Sequence, residues 1–285
     1  MRRFPGWSDL SLQWCQRARR PNRHKSSFCV SAVPCAFVVV TFIGCSTRKA
    51  AEKELMACVA ASVQDIVNHL AKDFESQTGI VVRLNSGASG TLRTQIERGA
   101  PCDVFLSADP RDGESLIAAG KVLAENVSQI AANRLVVAIR REATLRFDEP
   151  ADLLAESIRR IGLAEPDVAP LGRYAKQALT GLNLWTPLQN KLTYGQDARA
   201  VSAWLSRSLV DAAILYQTDV RASPDLRVAF VFPRESHEPV RYVGMAVGLS
   251  PRKEASDFLR FVSSPGARAA WVAHGFDPPD SETKP

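Results

Sequence analysis

The sequence holds little of what catalysis and cofactor binding usually require. Its four histidines, His24, His69, His237 and His274, are scattered, and none stands four residues from another histidine or from a cysteine, as the paired ligands of a metal-binding helix do. No CxxC pair or mixed Cys/His cluster occurs, so no structural zinc site is implied. The G-x-x-x-x-G-K-[ST] phosphate loop and a G-x-G-x-x-G following a strand are both missing, which argues against nucleotide and dinucleotide binding. Gly87-Ala88-Ser89-Gly90 lacks the full G-x-S-x-G nucleophile turn. No short repeat, heptad or low-complexity linker breaks the chain. These gaps leave no catalytic residue to name, and turnover is not expected.

A basic face is missing as well. The formal net charge is +6, but residues 1–44 carry seven basic side chains against Asp9 alone, and the rest of the chain balances at 29 basic and 29 acidic residues. The excess belongs to the leader, so nucleic acid is not an expected partner. Cysteine is similarly concentrated: Cys15, Cys29, Cys35 and Cys45 precede residue 46, leaving Cys58 and Cys102. Both lie in or beside apolar strand-like runs and read as buried thiols, or as a disulfide if their strands are neighbours.

What is present begins with a leader. A basic stretch from Arg17 to Lys25 precedes an uncharged, mostly apolar run from Phe28 to Gly44 and then Cys45-Ser46, the order of a secretion signal. Phe42-Ile43-Gly44-Cys45 resembles a bacterial lipoprotein cleavage box, which makes Cys45 the candidate lipid attachment point. A membrane-spanning anchor or an uncleaved signal is the alternative. All of these place the body of the chain outside the cytoplasmic membrane.

From Leu55 onward, β-rich apolar runs alternate with helical periodicity, the pattern of βαβ units and a mostly parallel sheet. Strands are expected at Leu55 to Ala61, Ile80 to Leu84, Val104 to Ala108, Leu135 to Ile139, Ile161 to Ala164, Ala212 to Tyr216 and Val228 to Phe232. Val63, Ile66, Val67, Leu70 and Phe74 follow helical spacing up to Gly79. Small or hydroxyl residues recur where a strand meets the next helix: Ala60-Ala61-Ser62, Ala88-Ser89-Gly90 and Pro170-Leu171-Gly172. The first N–H groups of a helix have no internal partner and its dipole favours negative charge, so several such junctions meeting at one cleft would hold an oxyanion without a cation. Taken singly, each serine is equally an ordinary helix cap.

Taken together these segments resemble a known family. Val59 to Ser62, Ser86 to Leu92, the run Gln95 to Asp109 (QIERGAPCDVFLSAD), Pro170 to Ala175, Asp197 to Arg199, Ile214 to Tyr216 with Asp219, Phe232-Pro233 with Ser236-His237, and His274 to Phe276 are similar to the periplasmic molybdate-binding proteins of ABC transporters. The similarity spans about residues 54–277. It implies an α/β, two-lobed type II periplasmic-binding-protein fold, each lobe a mostly parallel sheet flanked by helices, with the ligand cleft between them. The implied division is a leader over 1–44, a tether over 45–53, a first lobe over 54–134 plus 241–285, and a second over 135–240. The implied ligand is molybdate or tungstate, with no cofactor. Its donors are the hydroxyls and N–H groups of Ser62 and Ser89, the N–H groups of Leu171 and Ala198, and the Tyr216 hydroxyl, and metal enters only as the oxyanion they hold. The implied partner is the permease of an ABC importer, served by a monomer lipid-anchored on the outer side of the cytoplasmic membrane. A receptor for sulfate or another tetrahedral oxyanion, or an anion-sensing module, is the alternative. The chain departs from the family pattern at Ala88, where a second serine is common, at Leu171, where a smaller residue is usual, at Gln217 in place of glycine, and at Val243-Gly244 in place of a hinge proline. Asp109, Arg199 and Asp219 remain as polar residues near the cleft, Arg199 as a support for the binding loop or as an ordinary surface ion pair.

Overall fold

A computed structural model describes residues 54–147 and 149–279. The leader, the tether and Cys45 lie outside the described residues. Among the latter, no helix is long and apolar enough to cross a membrane.

The chain builds two five-stranded sheets in succession. Strand β1 (Glu54–Ala60) leads through a 3-10 turn at Ala61–Val63 into helix α1 (Gln64–Thr78). The periodic face expected there, Ile66, Val67, Leu70 and Phe74, is buried, and Gly79 ends the helix in the left-handed conformation, φ +70°, which glycine adopts without a Cβ clash. Strand β2 (Val81–Gly87), helix α2 (Ser89–Glu97), strand β3 (Val104–Ser107), helix α3 (Pro110–Ala118) and strand β4 (Val127–Asn133) complete the first pass. Only Arg134 then separates β4 from β5 (Leu135–Arg140), the first strand of the second sheet.

The second sheet continues with β6 (Ile161–Ala164), α4 (Pro170–Gly181), the single turn α5 (Trp185–Leu188), β7 (Leu192–Gly195), α6 (Ala198–Ser206), β8 (Ala212–Tyr216), α7 (Gln217–Arg221) and β9 (Leu226–Val231). The chain returns to the first sheet as β10 (Val240–Ala246) and finishes with α8 (Lys253–Val262) and α9 (Pro265–Ala273). The strand orders are β2-β1-β3-β10-β4 and β7-β6-β8-β5-β9. In each sheet four strands run one way, and the fifth, β10 or β5, is antiparallel to both neighbours. That odd strand is the one entered by crossing from the other sheet. The two sheets are therefore mixed rather than uniformly parallel, because a strand arriving directly from a neighbouring sheet needs no crossover helix to reverse it.

β1, β3 and β8 are buried on both faces and read accordingly as unbroken apolar runs. Strands β4, β7 and β10 have weaker signatures, VSQIAAN, LTYG and VRYVGMA, and periodicity alone does not find them. Cys58 and Cys102 are free thiols: β1 and β3 are neighbours, and the Cys102 Sγ bonds to the Val104 carbonyl at 3.2 Å.

Candidate functional site

The parallel strands of both sheets end at one place, as strand C-termini do around ligand crevices in open α/β sheets. From the first sheet come the end of β1 with Ala61 and Ser62, the end of β2 with Ala88 and Ser89, and Ala108 after β3. From the second come Ala169 to Leu171, Asp197-Ala198 after β7, and Tyr216 closing β8. All of them line one cavity, which leaves about 20 Å³ for the centre of a water-sized sphere, little more than the roughly 10–15 Å³ a single water requires. As it stands it has room for one compact species. No Lys or Arg is among its lining residues. Larger grooves among the described residues, about 650 Å³ beside Arg134 and Phe232, about 610 Å³ beside Arg173 and Lys176, and about 530 Å³ beside α6 and α7, do not collect a comparable set of helix N-termini.

Each of the five residues singled out by sequence sits at this cavity. Ser62 lies in the 3-10 turn ahead of α1, Ser89 opens α2, Leu171 is the second residue of α4 behind Pro170, and Ala198 opens α6. In these first turns the backbone N–H groups have no intrahelical carbonyl to meet. Asp197 caps α6 through the Ala200 N–H, at 2.9 Å, which leaves the Ala198 N–H uncapped by that side chain. Ser89 is 1% exposed, and its Oγ accepts from the Ala108 N–H at 3.2 Å, so its own proton remains free to donate.

Tyr216 carries the clearest signal. It is 1% exposed, and its hydroxyl has no hydrogen-bond partner among the described residues. Leaving a buried hydroxyl unpaired costs about 1–3 kcal/mol. Burial, joined by the nearby Tyr242 and Tyr174, pushes the phenol well above its ordinary pKa, so it remains a donor across the physiological range. Its backbone N–H donates to Asp219 at 3.1 Å, and burial raises the Asp219 carboxyl to about 7.

Several residues here carry no signal in the local sequence. Tyr242, 1% exposed, returns on β10 to place its hydroxyl 3.1 Å from the Ser62 Oγ. Asn133, the last residue of β4, donates to that hydroxyl at 3.3 Å and to the Thr218 Oγ1 at 2.8 Å. A buried polar chain thus runs from Ser62 through Tyr242 and Asn133 to Thr218, past the point where the chain crosses between sheets. Arg199 is placed beside the cavity rather than in it: it donates to the Ala61 carbonyl at 3.1 Å and pairs with Asp65 at 2.6 Å. Asp109 caps α3 and pairs with Arg173.

What this arrangement offers is a ring of donors without a cation, suited to a small anion that accepts and does not donate. Comparison with known proteins identifies the family. A molybdate-binding protein of Haemophilus influenzae is 32% identical over 233 residues, covering 80% of this chain and 91% of that protein. YvgL of Bacillus subtilis, named as an ABC transporter substrate-binding lipoprotein, is 31% identical over 251 residues, covering 85% and 94%. Among solved structures, the periplasmic molybdate-binding protein of Azotobacter vinelandii superposes with a TM-score of 0.72 at 25% identity, covering 79% of this chain and all of that one. The sulfate-binding protein SubI of Mycobacterium tuberculosis shares the fold, with a TM-score of 0.68 at 17% identity. The family model described as bacterial extracellular solute-binding protein matches residues 55–277, and the chain belongs to that family, as the substrate-binding component of an ABC importer.

Proposed function

We propose that this protein captures molybdate or tungstate outside the cytoplasmic membrane and delivers it to the permease of an ABC importer. The observation that carries the reading is the Tyr216 hydroxyl, buried and unpaired at a cavity lined by four helix N-termini and no cation. The two sheets serve as lobes, 54–134 with 241–285 and 135–240, which close on the anion. Ser62 and Ser89 donate from one side, and Leu171, Ala198 and Tyr216 from the other. Each of these groups can donate, so a fully ionised oxyanion can satisfy all of them, whereas one that keeps a proton gives up an acceptor position and is held less well. A fully ionised dianion is preferred over hydrogen phosphate by this means, and over the smaller sulfate by reach, since donors set for a larger tetrahedron are stretched around a smaller one. Nothing in the donor set supplies a base or nucleophile, so the ligand is bound and released unchanged. The basic and apolar leader with Cys45 supports export and lipid anchoring.

Isothermal titration of a protein starting after Cys45 with molybdate, tungstate, sulfate and phosphate at neutral pH tests this. Tight binding of the first two with the last two silent is expected. A sulfate response equal to the molybdate one would overturn the ligand assignment and favour the sulfate reading, and would point to Ala88 and Leu171 as the residues that reshape the cavity.

A further inference from the structure

We infer that Tyr242 is a positioning residue of the anion site: its hydroxyl donates to the Ser62 Oγ and thereby turns the Ser62 proton into the cavity, where it meets the anion. This rests on the binding-protein reading above. Tyr242 does not line the cavity, and it reaches the site through Ser62, 3.1 Å from its hydroxyl. A hydroxyl can give or accept, so the direction of that bond decides whether Ser62 offers the anion a proton or a lone pair.

The direction is set where the chain crosses between the sheets. The Arg134 N–H donates to the Asn133 Oδ1 at 2.9 Å, a bond that only the amide oxygen can accept, so the Asn133 Nδ2 group faces the other way. Its two hydrogens go to the Thr218 Oγ1 at 2.8 Å and to the Tyr242 hydroxyl at 3.3 Å. The Tyr242 oxygen is therefore an acceptor toward Asn133, and its own proton needs a different partner. Among the described residues that partner is the Ser62 Oγ. Burial, joined by the field of Asp219, holds the Tyr242 phenol well above its ordinary pKa, so the proton is present throughout the physiological range. The ring is held in place: Tyr242 is buried, with the rings of Phe276 and Tyr216 edge-on at centroid distances of 5.3 and 6.0 Å.

Ser89 supplies the comparison. Its Oγ accepts from the Ala108 N–H, a group that can only donate, so the backbone fixes its polarity. Ser62 reaches the same state through two side chains, which makes it the donor whose polarity a substitution can change. With Tyr242 in place, the Ser62 lone pair on that side is taken. Without it, the Ser62 hydroxyl is free to accept from an oxyanion that keeps a proton. Tyr242 thus bears on the choice between fully ionised and protonated anions as well as on affinity, whereas a tyrosine that only filled space would leave that choice alone.

The test is a double-mutant cycle of Tyr242→Phe, Ser62→Ala and the two combined, titrated with molybdate at neutral pH. Phenylalanine keeps the ring contacts, so the variant should fold. Tyr242→Phe is expected to lower molybdate affinity roughly 3- to 10-fold, the loss of one hydrogen bond of ordinary strength. In the Ser62→Ala background the same substitution should change affinity less than about twofold, because the route from Tyr242 to the anion is gone. Excess phosphate should also compete with molybdate more strongly in Tyr242→Phe than in the wild type. Equal losses in both backgrounds, or equal competition by phosphate, would overturn the relay. Neutron diffraction from crystals of the deuterated, unliganded protein reads the polarity without any anion. A deuteron on the Tyr242 oxygen aimed at Ser62 is expected, and one on Ser62 aimed at Tyr242 overturns the proposal. Failure of the wild type to bind molybdate, tungstate, sulfate or phosphate would instead refute the ligand assignment, leaving the diffraction result to decide the relay alone.

Discussion

Replacing Tyr216 by phenylalanine is expected to move affinity and unliganded stability in opposite directions. The Tyr216 phenol is buried and its hydroxyl meets no protein partner among the described residues, a cost of about 1–3 kcal/mol wherever nothing else accepts its proton. Phenylalanine fills nearly the same space and removes that cost, so chemical denaturation without anion should show stability unchanged or raised. With an oxyanion in the cavity the same hydroxyl donates to a charged acceptor, a bond contributing about 1.5–3 kcal/mol, so titration should show molybdate affinity falling roughly 10- to 150-fold. The low end applies if a water occupies the volume left by the oxygen and bridges to the anion. Burial holds the phenol well above its ordinary pKa, so the loss should be the same at pH 6 and pH 8. If Tyr216→Phe destabilised the unliganded protein and left affinity within error of wild type, the hydroxyl would be a structural group and the anion would sit elsewhere.

Three further perturbations separate closure, packing and titration. A Cβ on Gly90 would stand 2.6 Å from the Val168 carbonyl oxygen across the cleft, so Gly90→Ala should weaken molybdate binding by about 1–3 kcal/mol, the usual cost of overpacking, while the unliganded unfolding midpoint stays put or rises slightly; equal affinity in the two proteins would show that the lobes need not approach there. At Gly172 a Cβ would lie 2.2 Å from the Ala164 carbonyl within one lobe, so Gly172→Ala should lower unfolding stability by a similar amount, whether or not anion is present, and an unchanged midpoint would contradict the close packing of α4 on β6. Burial lifts the Asp219 carboxyl to about 7 against the bond from the Tyr216 N–H and the field of Arg199, above the unfolded value near 3.9. The folded state then keeps a proton that the unfolded state has lost, so this group's contribution is most favourable below about pH 4, declines as pH rises to about 7, and is level beyond. Asp219→Asn should therefore gain stability relative to wild type across that window in denaturation at pH 4.5, 6 and 7.5, and parallel curves would show that the carboxyl titrates normally.

Whether a residue of this site can be read from sequence depends on how far away its reason for being there lies. Ser62, Ser89 and Leu171 lie at junctions legible in the sequence, because strand, small or hydroxyl residue and helix follow within a few positions and the physics that makes a helix N-terminus attract an anion is local. Ala198 is marked only by the family resemblance, because the strand before it, β7 (LTYG), has a weak signature. Tyr216 is legible for a related reason, as a phenol ending the apolar run Ala212–Tyr216. Tyr242 is not, since its partner Ser62 is 180 residues away, and a tyrosine in a strand is unremarkable until β10 is known to pair with β3 and β4. Arg173 was visible only as part of a matching motif, because its partner Asp109 lies 64 residues earlier and across the cleft. The mixed sheets follow the same rule: β5 is a clear apolar run, but its direction is set by the single residue, Arg134, that joins it to β4. Junctions at the cavity can thus be found from local patterns, whereas contacts between the two sheets act through pairs that only the folded chain assembles.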